Sequence, residues 1–114
     1  MDTQEAARIF KAFGDENRIK IINILVEQEK SATELLEALS IVQSTLSHHM
    51  KILVGSGIVS AQNEGKWTYY SVSREGLERA ESILHELSRQ SYFTKSRESI
   101  RAREGWNRLV SFID

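Results

Sequence analysis

The sequence predicts a mainly α-helical domain that carries one β-hairpin. Three observations lead there. Apolar residues recur at the three- and four-residue spacing of a helix face through most of the chain. Two runs rich in β-formers, residues 58–62 and 67–72, flank the turn-forming stretch Asn63-Glu64-Gly65-Lys66. Proline, which removes a backbone donor and crowds the preceding helical turn, is absent.

The first helix opens at Asp2, whose carboxylate can accept from the free N–H groups of the first turn, with Glu5 three residues on. Ala6, Ile9, Phe10 and Phe13 form its apolar stripe, and Gly14 ends it. Asp15 caps a second helix that runs to about Gln28, with Ile19, Ile22, Leu25 and Val26 as its stripe. Ser31 and Glu34 have capping-box spacing and open a short third helix bearing Leu35, Leu36 and Leu39. Ser40-Ile41-Val42 turns the chain into a fourth helix, Gln43 to Val54, with Leu46, Met50 and Leu53 inward. Gly55-Ser56-Gly57 then offers glycine for the left-handed position that helix ends favour. Beyond the hairpin, a fifth helix follows Ser73 and runs to about Arg89, with Leu77, Ala80, Leu84 and Leu87 on one side.

At 114 residues, 40% apolar and 27% charged, the chain has the composition of a single globular domain. Residues 1–90 read as that domain. Residues 91–114 read as a C-terminal extension, partly helical and packed at a dimer interface, with Gly105 weakening the helical pattern. No apolar run approaches the roughly 18 residues of a membrane span, and Asp2 and Glu5 stand where a signal peptide would be basic. A cytoplasmic protein with no membrane partner is expected. Cysteine is absent, which excludes disulfides and thiolate metal sites. The net charge of −1 is unevenly spread: residues 1–42 hold five basic and eight acidic groups, whereas residues 43–73 hold Lys51 and Lys66 against Glu64 alone. The middle of the chain is free to meet phosphate.

A short helix, a tight turn and a second helix followed at once by a hairpin is the plan of a winged helix-turn-helix, a three-helix core plus wing. The fourth helix divides as a recognition helix must. Its outward positions Ser44, Thr45, Ser47, His48 and Lys51 are short or flexible hydrogen-bonding groups, with Gln43 at its start, and its other face is aliphatic. A polar helix face is common on ordinary surface helices, and a hairpin with one lysine is equally ordinary. Together and in this order they point to duplex DNA, with Lys66 at the wing tip as a backbone or minor-groove contact.

The residues also carry a resemblance. Phe13-Gly14-Asp15-Glu16-Asn17-Arg18-Ile19 resembles the opening signature of the ArsR/SmtB family of repressors. The run Gln43-Ser44-Thr45-Leu46-Ser47-His48-His49-Met50-Lys51-Ile52-Leu53 is similar to that family's recognition helix, and Gly57-Ile58-Val59, Glu64-Gly65-Lys66-Trp67 and Tyr69-Tyr70-Ser71-Val72 resemble its wing. The resemblance covers about residues 5–90. It implies a repressor that dimerises through its first and fifth helices and is released by a small-molecule inducer. The exposed-stripe residues Ile9, Phe10, Phe13, Leu84 and Leu87 are the expected homodimer contacts, and an inverted-repeat operator is the expected DNA site.

The sequence also departs from the family. Where its arsenic and cadmium sensors hold paired cysteines, register places Ser31 and Thr33. Where its zinc sensors hold ligands, register places Arg74, Gly76, Leu87 and Gln90. No metal and no cofactor is expected. Glu78, Glu81 and His85 share a helix face, read as an exposed ion-pairing face rather than a metal site. His49, on the flank of the inward stripe, is expected to bond the backbone of a neighbouring helix. Tyr92, Phe93, Trp106 and Phe112 read as dimer padding, the alternative being a pocket for an organic ligand. An enzyme is not expected: there is no nucleophile elbow, phosphate loop or dinucleotide turn, and the aspartates are only Asp2, Asp15 and Asp114. The rival to a DNA-binding repressor is a winged helix whose recognition face binds protein.

Overall fold

A computed structural model of the chain describes residues 1–92 together with Gly105. The elements run α1 (Thr3–Phe13), α2 (Glu16–Glu27), β1 (Lys30–Ser31), α3 (Ala32–Leu39), α4 (Gln43–Gly55), β2 (Val59–Glu64), β3 (Trp67–Val72) and α5 (Arg74–Tyr92). The chain divides into two compact units, Met1–Glu81 and Ser82–Asp114, with the boundary inside α5.

Local chemistry sets the helix starts. Asp2 accepts from the N–H groups of Gln4 and Glu5, and Asp15 from those of Asn17 and Arg18, so each carboxylate satisfies two otherwise unpaired donors. Ser31 and Glu34 close a reciprocal capping box on α3. Ser73 Oγ accepts from the N–H of Gly76 and starts α5 in the same way. Between α3 and α4, Ser40 takes a left-handed conformation at φ 54°, a turn that a non-glycine residue enters at some steric cost.

Among the described residues, Ile9, Ile21, Leu35, Leu53 and Ile58 are the largest fully enclosed side chains, one from each helix of the α1–α4 group and one from the entry to the wing. Truncating any of them to alanine should cost about 2–5 kcal/mol through lost transfer energy and the cavity left behind. The inward face of α4 is the expected one, with Leu46, Met50 and Leu53 buried.

Two expectations on the first helices need correction. In α1 the buried set is Ala6, Ile9 and Ala12, and Phe10 lies on the exposed flank. In α2 the buried set is Arg18, Ile21, Ile22 and Leu25, whereas Ile19 and Val26 are 44% and 59% exposed. Ile21, fully enclosed, takes the place expected of Ile19, so the stripe is rotated by one position; Arg18, one turn before Ile21, is thereby carried inward, where its guanidinium finds acceptors.

The expected hairpin is part of a three-stranded antiparallel sheet in the order β1-β3-β2. β2 and β3 pair from Val59↔Val72 to Glu64↔Trp67, which leaves Gly65 and Lys66 as a two-residue turn. Gly65 has φ +64° and Lys66 is not in the positive region, the signature of a type II′ turn that matches strand twist. β1 adds the pairs Lys30↔Tyr70 and Ser31↔Tyr69 on the other edge of β3. Ser31 thus belongs to the sheet and caps α3 at once, which ties the wing to the helix-turn-helix.

Candidate nucleic-acid interface

The outward side of α4 is built by what holds its inward side. Leu46, Met50 and Leu53 anchor the helix in the core, and His49 joins them as a buried polar residue. Gln43, Ser44, Ser47, His48 and Lys51 are exposed, and Thr45 is half-buried on the flank. Ser44, Ser47, His48 and Lys51 share one side of the helix by their spacing. This is the face expected to read a groove.

α4 also differs from its neighbours at its N-terminus. Its N-cap is Val42, which makes no side-chain cap, whereas Asp2, Asp15 and Ser31 cap α1, α2 and α3. No acidic residue occupies the first turn of α4. Its leading N–H groups and the positive end of its dipole are therefore left for an external acceptor, and an anion there is favoured.

Buried polar contacts fix the orientation of the helix. Arg18 Nη2 donates to the Lys11 carbonyl at 2.9 Å and Arg18 Nε to the Ala12 carbonyl at 3.2 Å, so the side chain caps the C-terminal end of α1. Its Nη1 lies 3.1 Å from His49 Nδ1. A guanidinium has no acceptor, so His49 Nδ1 accepts and the ring is neutral, with its proton on Nε2. That Nε2 faces Asp15 Oδ2 at 3.8 Å. Burial is the main cause that holds His49 below the ordinary histidine range; Asp15 pulls the other way, and Arg18 and His48 add to the depression. Asp15 is itself lowered: its burial would raise it, but the N–H groups of Arg18 and Asn17 outweigh that, with His49, when protonated, and the Arg18 charge adding to the lowering. His49 is thus structural, though its partners are side chains of α2 and its cap rather than the backbone of a neighbouring helix. Sequence reading missed Arg18 as a positioning residue; the signal available was an arginine among the apolar residues of a helix face.

The wing presents Lys66 at its turn, exposed, with Trp67 half exposed beside it. Thr68 Oγ1 donates to Asn63 Oδ1 at 2.9 Å across the hairpin and stiffens the tip. Lys66 is held at the far end of the strands, away from their buried base at Val59. Between α4 and the sheet, Ser47, Met50, Lys51, Val54, Ala61 and Tyr70 line an open cleft.

The expected dimer residues separate. Ile9 is fully enclosed within its own chain and cannot be covered by a partner, because α1 turns it onto the core. Phe13 is half-buried, whereas Phe10, Leu84 and Leu87 are 36%, 55% and 47% exposed. The side chain of Tyr92, together with Phe93, Trp106 and Phe112, lies outside the described residues.

Three of the six positions that register aligns with metal ligands, Ser31, Arg74 and Gly76, have other work in this structure. The Ser31 hydroxyl accepts from the N–H of Glu34 at 3.2 Å. Arg74 pairs with Glu78 at 3.3 Å. A Cβ on Gly76 would collide with the carbonyl oxygen of Gly57, so this glycine lets the first turn of α5 sit on the backbone that leads into the wing.

Known proteins resemble this chain closely. The sequence pattern of the bacterial regulatory proteins of the arsR family matches residues 15–61, from the cap of α2 into β2. Over 85 residues the chain is 36% identical to an HTH-type transcriptional regulator of Methanocaldococcus jannaschii, covering 74% of this chain and 96% of that protein. It is 34% identical over 67 residues to the arsenical resistance operon repressor of Bacillus subtilis, covering 58% of this chain and 64% of that one. A crystal structure of an ArsR family transcriptional regulator has a TM-score of 0.74 at 19% identity, over 84% of this chain and 97% of that one. At that identity the likeness is one of fold, a winged helix-turn-helix.

Proposed function

The chain belongs to the ArsR family of regulatory proteins, and we propose that it is a repressor that binds an inverted-repeat operator in duplex DNA as a homodimer. ArsR-family proteins regulate transcription and are not enzymes. In this reading the outward face of α4 enters the major groove, where Gln43, Ser44, Ser47, His48 and Lys51 meet base edges and phosphates and Thr45 supports them from the flank. Lys66 holds the backbone or minor groove beside it. The observation that carries the reading is the division of α4: one side locked into the core by Leu46, His49, Met50 and Leu53, the other exposed, polar at Gln43, Ser44, Ser47, His48 and Lys51 with Val54 its one exposed apolar residue, and free of acid. A protein-binding winged helix would be expected to expose apolar anchors there.

The homodimer rests on Phe10 of α1 and on Leu84 and Leu87 of α5, apolar residues that the described chain leaves uncovered. Release from DNA by a metal is not part of the proposal. The chain has no cysteine, and Ser31, Arg74 and Gly76 are committed to a cap, an ion pair and a close backbone contact. An organic inducer, or none, fits that better. The protein is expected to act in the cytoplasm, where its DNA is.

The test is direct. Duplexes enriched from a random-sequence pool on the purified protein should converge on an inverted repeat, and affinity for them should fall steeply with salt as counterions are released. Lys66→Ala should weaken binding to all sequences and flatten the slope of log affinity against log salt by about one unit. Convergence on no sequence, or affinity indifferent to salt, would overturn the reading.

A further inference from the structure

Within Met1–Glu81 most cationic side chains are already engaged. Lys20 pairs with Glu16, Lys30 with Glu34, Arg74 with Glu78 and Arg79 with Glu5, while Arg18 is buried on carbonyls and His49. Among the described residues of that unit, the lysines and arginines without such a partner are Arg8, Lys11, Lys51 and Lys66. Their placement is not scattered. Lys66 is the wing tip, and the other three line one cleft between α1 and α4, with Ile52, Gly55 and Ser56. Among the described residues, no acidic one lines it.

Three like charges brought together with no counter-charge repel one another, and the fold offers nothing in return unless an anion is met there. We infer that Arg8 and Lys11 of α1 close with Lys51 of α4 on the sugar-phosphate backbone beside the groove that α4 enters. The N-terminal helix is then part of the DNA interface and not only of the core and the dimer. This inference rests on the DNA-binding reading above.

The cleft fits a phosphate chain better than a small anionic molecule. It is open, and its one side-chain hydroxyl is committed: Ser56 Oγ donates to the Leu53 carbonyl at 2.8 Å and accepts from the N–H of Ile58. What remains is three charges on long flexible stems, which suits successive phosphates and supplies no directional set to enclose one ligand. Lys51 also lines the cleft on the wing side of α4, so the basic surface is continuous with the recognition face. By helical spacing, Arg8 flanks the buried stripe of α1 on the side opposite Phe10, and Lys11 follows it on the outer face. The same helix can therefore meet DNA on one flank and a second subunit on the other.

The experiment uses the full chain and a duplex enriched on it, with affinity measured by fluorescence anisotropy from 50 to 200 mM salt. Arg8→Gln and Lys11→Gln change exposed side chains whose polar atoms make no contact in the fold, and circular dichroism checks that each variant is folded. Each lost phosphate contact should lower the salt slope by about 0.9, so the double variant should lose about 1.8. Lys66→Gln is the internal reference. If it lowers the slope while Arg8→Gln with Lys11→Gln leaves slope and affinity unchanged, the inference fails and the DNA-binding reading stands. If no duplex is enriched, both fail.

Discussion

The guanidinium of Arg18 and the imidazole of His49, 31 residues apart in the chain, lie 3.1 Å apart in the core, the arginine donating and the ring accepting at Nδ1. Through this contact the end of α1, the start of α2 and the middle of the recognition helix share one set of polar bonds. Arg18 is 8% exposed and His49 6%, so neither can turn to water when the other is lost.

Arg18→Met keeps the length of the stem and removes the donors. The carbonyls of Lys11 and Ala12 and the Nδ1 of His49 then lose their partner, which should cost about 2–4 kcal/mol, since charge-assisted bonds to buried acceptors are among the stronger ones. The urea midpoint should fall with an unchanged denaturant slope. A loss under about 0.5 kcal/mol would place Arg18 outside the support of α4.

Acid should loosen the same site. The folded-state pKa of His49 is lowered, chiefly by burial, so on acidification the unfolded chain takes up this proton first. Stability from this group is complete above the ordinary histidine value of about 6.5 and is lost as pH falls through the lower folded-state value. Asp15 and Glu34 are lowered too, Glu34 chiefly by the backbone N–H of Ser31, and they add a second loss below the ordinary carboxylate range. Urea midpoints measured from pH 8 to pH 2 should show both steps. In His49→Gln the upper step should vanish and the lower one persist; an unchanged upper step would assign it to another group.

Gly76→Ala should destabilise the domain by at least about 2 kcal/mol, because the added methyl meets the backbone of Gly57 and Ile58 and no flexible side chain can give way. Gly55→Ala is the contrast: nothing lies within 4 Å of a Cβ there, and its backbone is not in the left-handed region. That change should be neutral or stabilising by up to about 0.8 kcal/mol. Equal effects at the two glycines would argue against the close approach of α5 to the wing entry.

Sedimentation at micromolar concentration should give about twice the 13.0 kDa chain mass. Leu84→Glu with Leu87→Glu places two charges where a subunit contact is proposed and should yield monomer with its helical circular dichroism retained. A variant that remained dimeric would move the interface elsewhere.

Stoichiometric Zn²⁺ added to the protein–operator complex should leave its affinity within a factor of about three, or roughly 0.7 kcal/mol. Without thiolates, and with Arg74 where the resembling zinc sensors place a ligand, few donors converge. A tenfold loss reversed by chelator and abolished by His85→Ala would show that Glu78, Glu81 and His85 hold the ion after all.

The sequence by itself determined the order of the five helices and the hairpin, the caps at Asp2, Asp15 and Ser31, the inward stripe of α4 and the place of Lys66 in the hairpin turn, though pairing carries the strands through Asn63 and Glu64 and narrows that turn to Gly65 and Lys66. Each depends on residues within a few positions of one another, where capping, periodicity and turn chemistry act without the rest of the chain. Tertiary structure alone decided what depends on distant partners. The two-residue strand β1 is too short to show a period and exists because β3 offers it an edge. The inward side of α2 is the one that encloses Ile21 and at the same time gives Arg18 acceptors on α1 and α4, and Ile9 is enclosed because α1 packs by Ala6 and Ala12 beside it. Arg8 and Lys11 look in sequence like any solvated lysine and arginine; only the packing of α1 beside α4 sets them next to Lys51, because charges 40 residues apart share a field only when the chain between them is folded.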